Sequence, residues 1–218
     1  MRFKGAIFDM DGLLFDTERI YQETWQEIAI ENNVCLDGSF LRAISGTNGE
    51  RMRHTVEKYY HVADGTAIMQ DCMERVRMKL SVNVPMKKGV HGILRMFHEK
   101  NICMAVASSS SVQQIQSNLQ TAGIRAYFST VVSGAEIWQG KPAPDIFLLA
   151  ARRLGCSPNE CFVFEDSENG IRAGHAAGCC TVMVPDLMEA SPDIMPYCTK
   201  VCDDLQQAGK EIKEMLEQ

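Results

Sequence analysis

Two carboxylates, Asp9 and Asp11, stand two residues apart in the run GAIFDMDG, just after a short apolar stretch and just before a glycine. Both can face one crevice once the chain leaves an extended strand, and Gly12 permits a sharp exit. Such a pair suits a nucleophile with a proton donor, or a hard-cation site. A polar turn with a helix-capping aspartate has the same composition. Four serines, Ser108 to Ser111, follow the apolar run Ile102 to Ala107. Hydroxyls and free backbone N–H groups at a helix start can hold an anion such as phosphate, and serines also cap helices. In Gly140-Lys141-Pro142-Ala143-Pro144-Asp145, the prolines keep Lys141 in a stiff, non-helical segment. A fixed ammonium there can neutralise a phosphate or a carboxylate, although a solvent-exposed lysine fits the same turn. Finally, Glu165 and Asp166 end the run CFVF. They can complete an oxygen-rich Mg2+ shell with the first acidic pair, or Asp166 can cap the next helix together with Ser167.

The elements that must position these groups are legible as well. Five apolar runs read as buried parallel strands: Gly5 to Phe8, Ile102 to Ala107, Thr130 to Ser133, Cys161 to Phe164 and Thr181 to Val184. Helical patterns lie between the later runs, with Val112, Ile115, Leu119 and Ala122 on one face, and Ile146, Leu149, Ala150 and Leu154 on another. This alternation predicts a doubly wound, Rossmann-like parallel α/β sheet. From Asp16 the pattern changes to successive amphipathic helices, with loops at 33–38, 46–49 and 61–65. The predicted organisation is therefore an α/β core of residues 1–15 and 87–218 interrupted by an all-helical insertion at 16–86. Small residues at Gly170, Ala173, Gly174, Ala177 and Gly178 let the helix there press against the sheet.

Composition narrows the function classes. With 28 acidic residues against 22 basic ones, and no long basic run, the chain lacks the footprint of a nucleic-acid binder. No apolar stretch reaches the roughly 18 residues of a membrane span, and the N-terminus does not read as a signal peptide. A cytoplasmic monomer with no membrane or nucleic-acid partner is expected. Nine cysteines without a CxxC pair fit reduced thiols better than a disulfide or zinc framework.

Taken together, Asp-x-Asp, Ser, Lys and Glu-Asp, each at the carboxyl end of an expected parallel strand, resemble the haloacid dehalogenase superfamily. IFDMDGLLFDTE, AVASSS, GKPAPDIF and VFEDSENGIRAGHAAG resemble its four motifs in order, and the likeness spans nearly the whole chain. The helical insertion is similar to the cap of the subgroup that holds β-phosphoglucomutases and many sugar-phosphate and nucleotide phosphatases. The resemblance implies a Mg2+-dependent phosphatase acting on a small phosphorylated metabolite. It implies that Asp9 is the nucleophile and becomes an aspartyl-phosphate, while Asp11 acts as proton donor and then acceptor. Ser108 and the Ser109 N–H would hold phosphoryl oxygens, with Lys141 bridging them to Asp9. Asp9, Asp11 (through its backbone carbonyl) and Asp166 would bind the metal, with Glu165 orienting its waters.

In the cap, Thr47, Asn48 and Arg51 are the expected substrate-selecting residues, by likeness to a loop of that family; a plain interhelical turn accounts for them equally. Asp11 argues against the dehalogenase branch, which lacks this aspartate. A phosphomutase is the nearest rival, but the places of the mutases' cap histidine and arginine fall at Tyr21 and near Gly49. A receiver-like signalling module, which also phosphorylates an aspartate, is shorter and carries no helical insertion.

Overall fold

The strands form where short runs of β-branched, aromatic and small residues are buried on both sides. The computed structural model describes residues 3–44, 47, 49–186 and 189–217. Six strands, β1 (Gly5–Phe8), β2 (Cys103–Ser108), β3 (Thr130–Ser133), β4 (Cys161–Glu165), β5 (Cys180–Met183) and β6 (Lys200–Val201), make one parallel sheet in the order β3-β2-β1-β4-β5-β6. The connections run one way from β1 through β2 and the other way through β4. This creates a topological switch point beside the strand that carries Asp9.

The sequence expectation differs at the strand ends. β2 begins and ends one residue later, because Ile102 N–H is spent on Phe97 O in the turn before it. β4 runs on to Glu165, which pairs with Met183, and β5 lies one residue earlier than expected. The two half-buried residues of β6 carry no apolar run that the sequence could show.

Two compact units divide the chain, residues 1–16 with 85–218 and residues 17–84. In the first, side chains alternate between the faces of the sheet. Ile7, Ala105, Ala107, Val132 and Val163 face one side, against Ile146, Phe147 and Ala150 of α7 (Asp145–Leu154) and Ala173 of α8 (Glu168–Ala176). Phe8 and Phe164 belong to the other side, stacked with centroids 4.7 Å apart, and Phe97 of α5 (Val90–Glu99) meets Phe8 edge-on at 6.0 Å. Each of these rings contributes about 1.5–3 kcal/mol by its burial. α6 (Val112–Thr121) packs on β3, and α9 (Leu205–Glu217) packs on α5. Small residues hold α8 close to the sheet: a Cβ on Gly174 would stand 2.9 Å from Val163 Cγ1.

The second unit consists of α1 (Thr17–Glu31), α2 (Gly38–Ile44), α3 (Gly49–Tyr60) and α4 (Thr66–Val82). Its core gathers Trp25, Phe40 and Tyr60, and the Tyr60 hydroxyl donates to Trp25 O at 2.9 Å, so the ring's polar tip is satisfied. Where the core chain departs for this unit and returns, its own two segments pair: Asp16 N–H donates to Pro85 O at 2.8 Å and Lys87 N–H to Leu14 O at 3.0 Å. All nine cysteines are free thiols; Cys35 and Cys103 are exposed and the others are buried or half-buried. Among the described residues no helix is long and apolar enough to cross a membrane.

Candidate active site

Register brings the first acidic pair to its place. Phe8 pairs with Val106 on one side and Phe164 on the other, and Asp9 N–H continues the ladder with a bond to Phe164 O at 3.0 Å. Asp9 thus leaves the carboxyl edge of the sheet level with the ends of β2 and β4, only 6% exposed. The chain then turns tightly, with Gly12 N–H bonded to Phe15 O at 2.9 Å and Gly12 at φ +84°. A Cβ there would stand 2.4 Å from Asp166 Oδ2. Glycine is required both by the backbone and by the neighbouring carboxylate.

Lys141 arrives from the loop after β3. Its ammonium donates to Asp9 Oδ1, to Glu165 Oε1 and, at 3.4 Å, to Ala107 O. The other Glu165 oxygen accepts from Ser167 N–H at 3.0 Å and Ser167 Oγ at 2.9 Å. Glu165 therefore fixes the lysine. It fits only because Gly170, in the first turn of α8, has no Cβ: one there would fall 1.9 Å from the Glu165 carboxyl carbon. Ser167 also caps α8, accepting from Gly170 N–H at 3.1 Å.

The serine run divides its work. Ser111 caps α6 by accepting from Gln114 N–H at 3.2 Å. Ser110 Oγ donates to Asp11 Oδ2 at 2.9 Å, and Ser108 Oγ lies 3.4 Å from the same oxygen while accepting from Ser110 N–H at 3.1 Å. Ser109 is exposed at the turn. Asp9, Asp11, Ser108, Lys141, Glu165 and Asp166 thus come together at one sheet edge, with Ser109 beside them. Thr47 and Arg51 belong to the helical unit, where Thr47 Oγ1 donates to Ile44 O at 2.6 Å and Arg51 is exposed. Asn48 lies outside the described residues.

Charge in this pocket is unbalanced. Carboxylate oxygens of Asp9, Glu165 and Asp166 all lie within 4.8 Å of one another, with Lys141 as the cation bonded among them. Burial pushes Asp9 up to about 7; Lys141 pulls it back and Glu165 pushes it further up. Burial likewise lifts Asp166 well above the usual carboxylate range, reinforced by Glu165 and Asp9. Lys141 is pulled down by burial, yet Asp9 and Glu165 outweigh that and hold it above its ordinary value. These donors suit Mg2+, a hard cation that binds through one or two carboxylates together with water and a phosphate ligand. A divalent charge would offset the burial, and the mutual repulsion added to it, that raise the two aspartates.

Three site features escaped the sequence reading. Ser110 was indistinguishable from its neighbours in a run of four. Asp186, just past β5, and Lys87 form an ion pair, with Lys87 3.9 Å from Asp16 as well. The strand-end criterion that found Asp9 and Asp166 also applies to Asp186, the one signal that could have exposed it.

The fold is a doubly wound α/β sheet with buried carboxylates and a lysine gathered at its carboxyl edge, beside the topological switch point. Residues 6–184 match the family model described as haloacid dehalogenase-like hydrolase, and the chain belongs to that family. It is a phosphoric monoester hydrolase. Among its relatives, a fructose-1-phosphate phosphatase of Escherichia coli is 34% identical over 81% of this chain and 94% of its own length. A (DL)-glycerol-3-phosphatase of Arabidopsis thaliana is 34% identical over 83% of this chain and 79% of its own. A solved Thermotoga maritima structure, provisionally described as a β-phosphoglucomutase, superposes with a TM-score of 0.85 at 25% identity, covering 97% of this chain and 99% of that one.

Proposed function

We propose that the chain hydrolyses a small phosphorylated metabolite, a sugar or polyol phosphate, with Mg2+ and through an aspartyl-phosphate on Asp9. The observation that carries this reading is the Lys141 ammonium shared between Asp9 and Glu165, with Asp166 alongside and Asp11 held by serine hydroxyls. The relatives above, a fructose-1-phosphate phosphatase and a glycerol-3-phosphatase, support the substrate class.

A phosphate monoester is anionic and repels a carboxylate, so positive charge must be in place before attack. Lys141 supplies part of it. Asp9 and Asp166, with the Asp11 backbone carbonyl by family likeness, would hold Mg2+, which supplies the remaining charge neutralisation. An Asp9 oxygen then bonds to phosphorus as the ester P–O bond breaks, and Asp11 gives its proton to the departing alkoxide. Ser108 and the Ser109 N–H hold phosphoryl oxygens. In the second half Asp11 takes a proton from water, the water oxygen bonds to phosphorus, and the Asp9–phosphorus bond breaks. Ester and water become alcohol and inorganic phosphate, and Asp9 is regenerated.

Hydrolysis is favoured over phosphoryl return to a sugar because Tyr21 stands where the mutases carry their cap histidine. The test is release of inorganic phosphate from a panel of sugar and polyol phosphates and p-nitrophenyl phosphate, with Mg2+ present or chelated. Asp9→Asn should abolish turnover and leave the circular dichroism spectrum unchanged. Full activity in that variant, or activity indifferent to chelation, refutes the reading.

A further inference from the structure

The described residues include a further acid at this edge that the steps above do not use. Asp186 follows β5, and its side chain is only 8% exposed. One oxygen, Oδ1, accepts from the Lys87 ammonium. The other, Oδ2, is buried without a hydrogen-bond partner. A buried carboxylate oxygen left in this state is costly, and native proteins satisfy such atoms with protein, water or an ion.

Its surroundings say what satisfies it. The position that a Cβ on Gly12 would take lies 2.4 Å from Asp166 Oδ2 and 3.3 Å from Asp186 Oδ2, so both oxygens converge on the space kept open by that glycine. No hydrogen bond joins Asp186 Oδ2 to Asp166, which as a metal-bound carboxylate would be an acceptor as well. Asp186 also lies outside the group of carboxylates, Asp9, Glu165 and Asp166, whose oxygens are within 4.8 Å of one another, so it does not join them as a direct ligand. A donor placed in that space would satisfy Asp186 Oδ2. Water bound to a hard cation has this character, because its hydrogens point outward and are polarised by the metal.

We propose that Asp186 is a positioning residue for Mg2+, its Oδ2 accepting a hydrogen bond from a water in the cation's shell while Lys87 holds Oδ1. This rests on the Mg2+ reading above and adds a residue to it. The aspartate fixes the orientation of a metal-bound water beside Asp166, and the lysine fixes the aspartate.

Calorimetric titration of Mg2+ into the chelator-stripped protein tests this, with wild type, Asp186→Asn and Asp166→Asn side by side. The asparagine keeps the volume and an oxygen for Lys87 but loses the charge offered to the water. Asp186→Asn should bind Mg2+ about tenfold more weakly and show a smaller Mg2+-induced rise in melting temperature. Its KM for p-nitrophenyl phosphate at saturating Mg2+ should be unchanged. If Asp186→Asn binds Mg2+ like wild type while Asp166→Asn does not, the proposal is overturned and the metal site survives. If Asp166→Asn also binds normally, the metal site itself is refuted and the proposal goes with it. Should Asp186→Asn fail to fold, a crystal of the wild type with Mg2+ decides: a water shared by the cation and Asp186 Oδ2, about 2.8 Å from that oxygen, supports it. Direct ligation, or no bridging water, overturns it.

Discussion

Replacing Gly12 by alanine isolates what the glycine does for the site. The new Cβ would start 2.4 Å from Asp166 Oδ2 and 2.9 Å from Asp166 Cγ. Ordinary contact requires roughly 3.5 Å, so the carboxylate must retreat by about 1 Å. A displacement of that size at a reacting centre costs on the order of 100-fold, or about 2.7 kcal/mol of transition-state stabilisation. A separate cost comes from the backbone at φ +84°, where a Cβ is disfavoured by about 1–2 kcal/mol. At roughly 2–4 °C per kcal/mol for a chain of this size, melting should fall by about 2–8 °C. Gly155→Ala is the control: its φ is +69° and nothing lies within 4 Å of the added carbon, so it bears the backbone cost without the crowding. The assay is p-nitrophenyl phosphate hydrolysis across a Mg2+ titration, with thermal melts of the metal-free proteins. Gly12→Ala should lose activity and require more Mg2+, whereas Gly155→Ala should lose only stability. Wild-type turnover and Mg2+ midpoint in Gly12→Ala, or equal loss of activity in both variants, would refute the reasoning.

Removing the ammonium in Lys141→Met leaves Asp9 and Glu165 facing each other, their side chains 8% and 1% exposed. Breaking such a pair should cost about 3–5 kcal/mol in urea unfolding at pH 8 and less at pH 5, where protons relieve the repulsion; equal stability to wild type at both pH values contradicts this. In chelator, Asp9 has a folded-state pKa of about 7 against an ordinary 3.8, so between those values the folded protein binds the extra proton. Its contribution to stability is full below the lower value and is lost as pH rises through about 7. Metal-free wild type should therefore lose more stability from pH 5 to 8 than Asp9→Asn, and Mg2+ should stabilise the wild type more at pH 8. Parallel melting curves for the two proteins across that range would exclude the effect. Asp11→Asn should slow alkyl phosphates by roughly 10²–10⁴-fold but p-nitrophenyl phosphate much less, since nitrophenolate departs without a proton; matched losses count against its role as acid.

Much of this was legible in the chain because the residues of the proposed site sit at strand ends. A parallel strand buried on both faces must be written as an apolar run, so its boundary is visible, and a polar group just past that boundary faces the ligand edge. Asp9, Ser108, Glu165 and Asp166 were found in that way, and Lys141 by the prolines around it. Tertiary structure decided how these groups divide the work. Glu165 and Asp166 are adjacent and their carboxylates stay close, yet one reaches Lys141 and Ser167 while the other reaches the space above Gly12. Of four consecutive serines, Ser110 meets Asp11 and Ser111 caps a helix, a choice made by where β2 stops in register with Ser133 of β3. Lys87 and Asp186 are 99 residues apart; Asp186 follows a strand end, but nothing local pairs it with Lys87. Local patterns record what each segment must bury. Which carboxylate pairs with which cation depends on distances between segments, and only the packed sheet sets those.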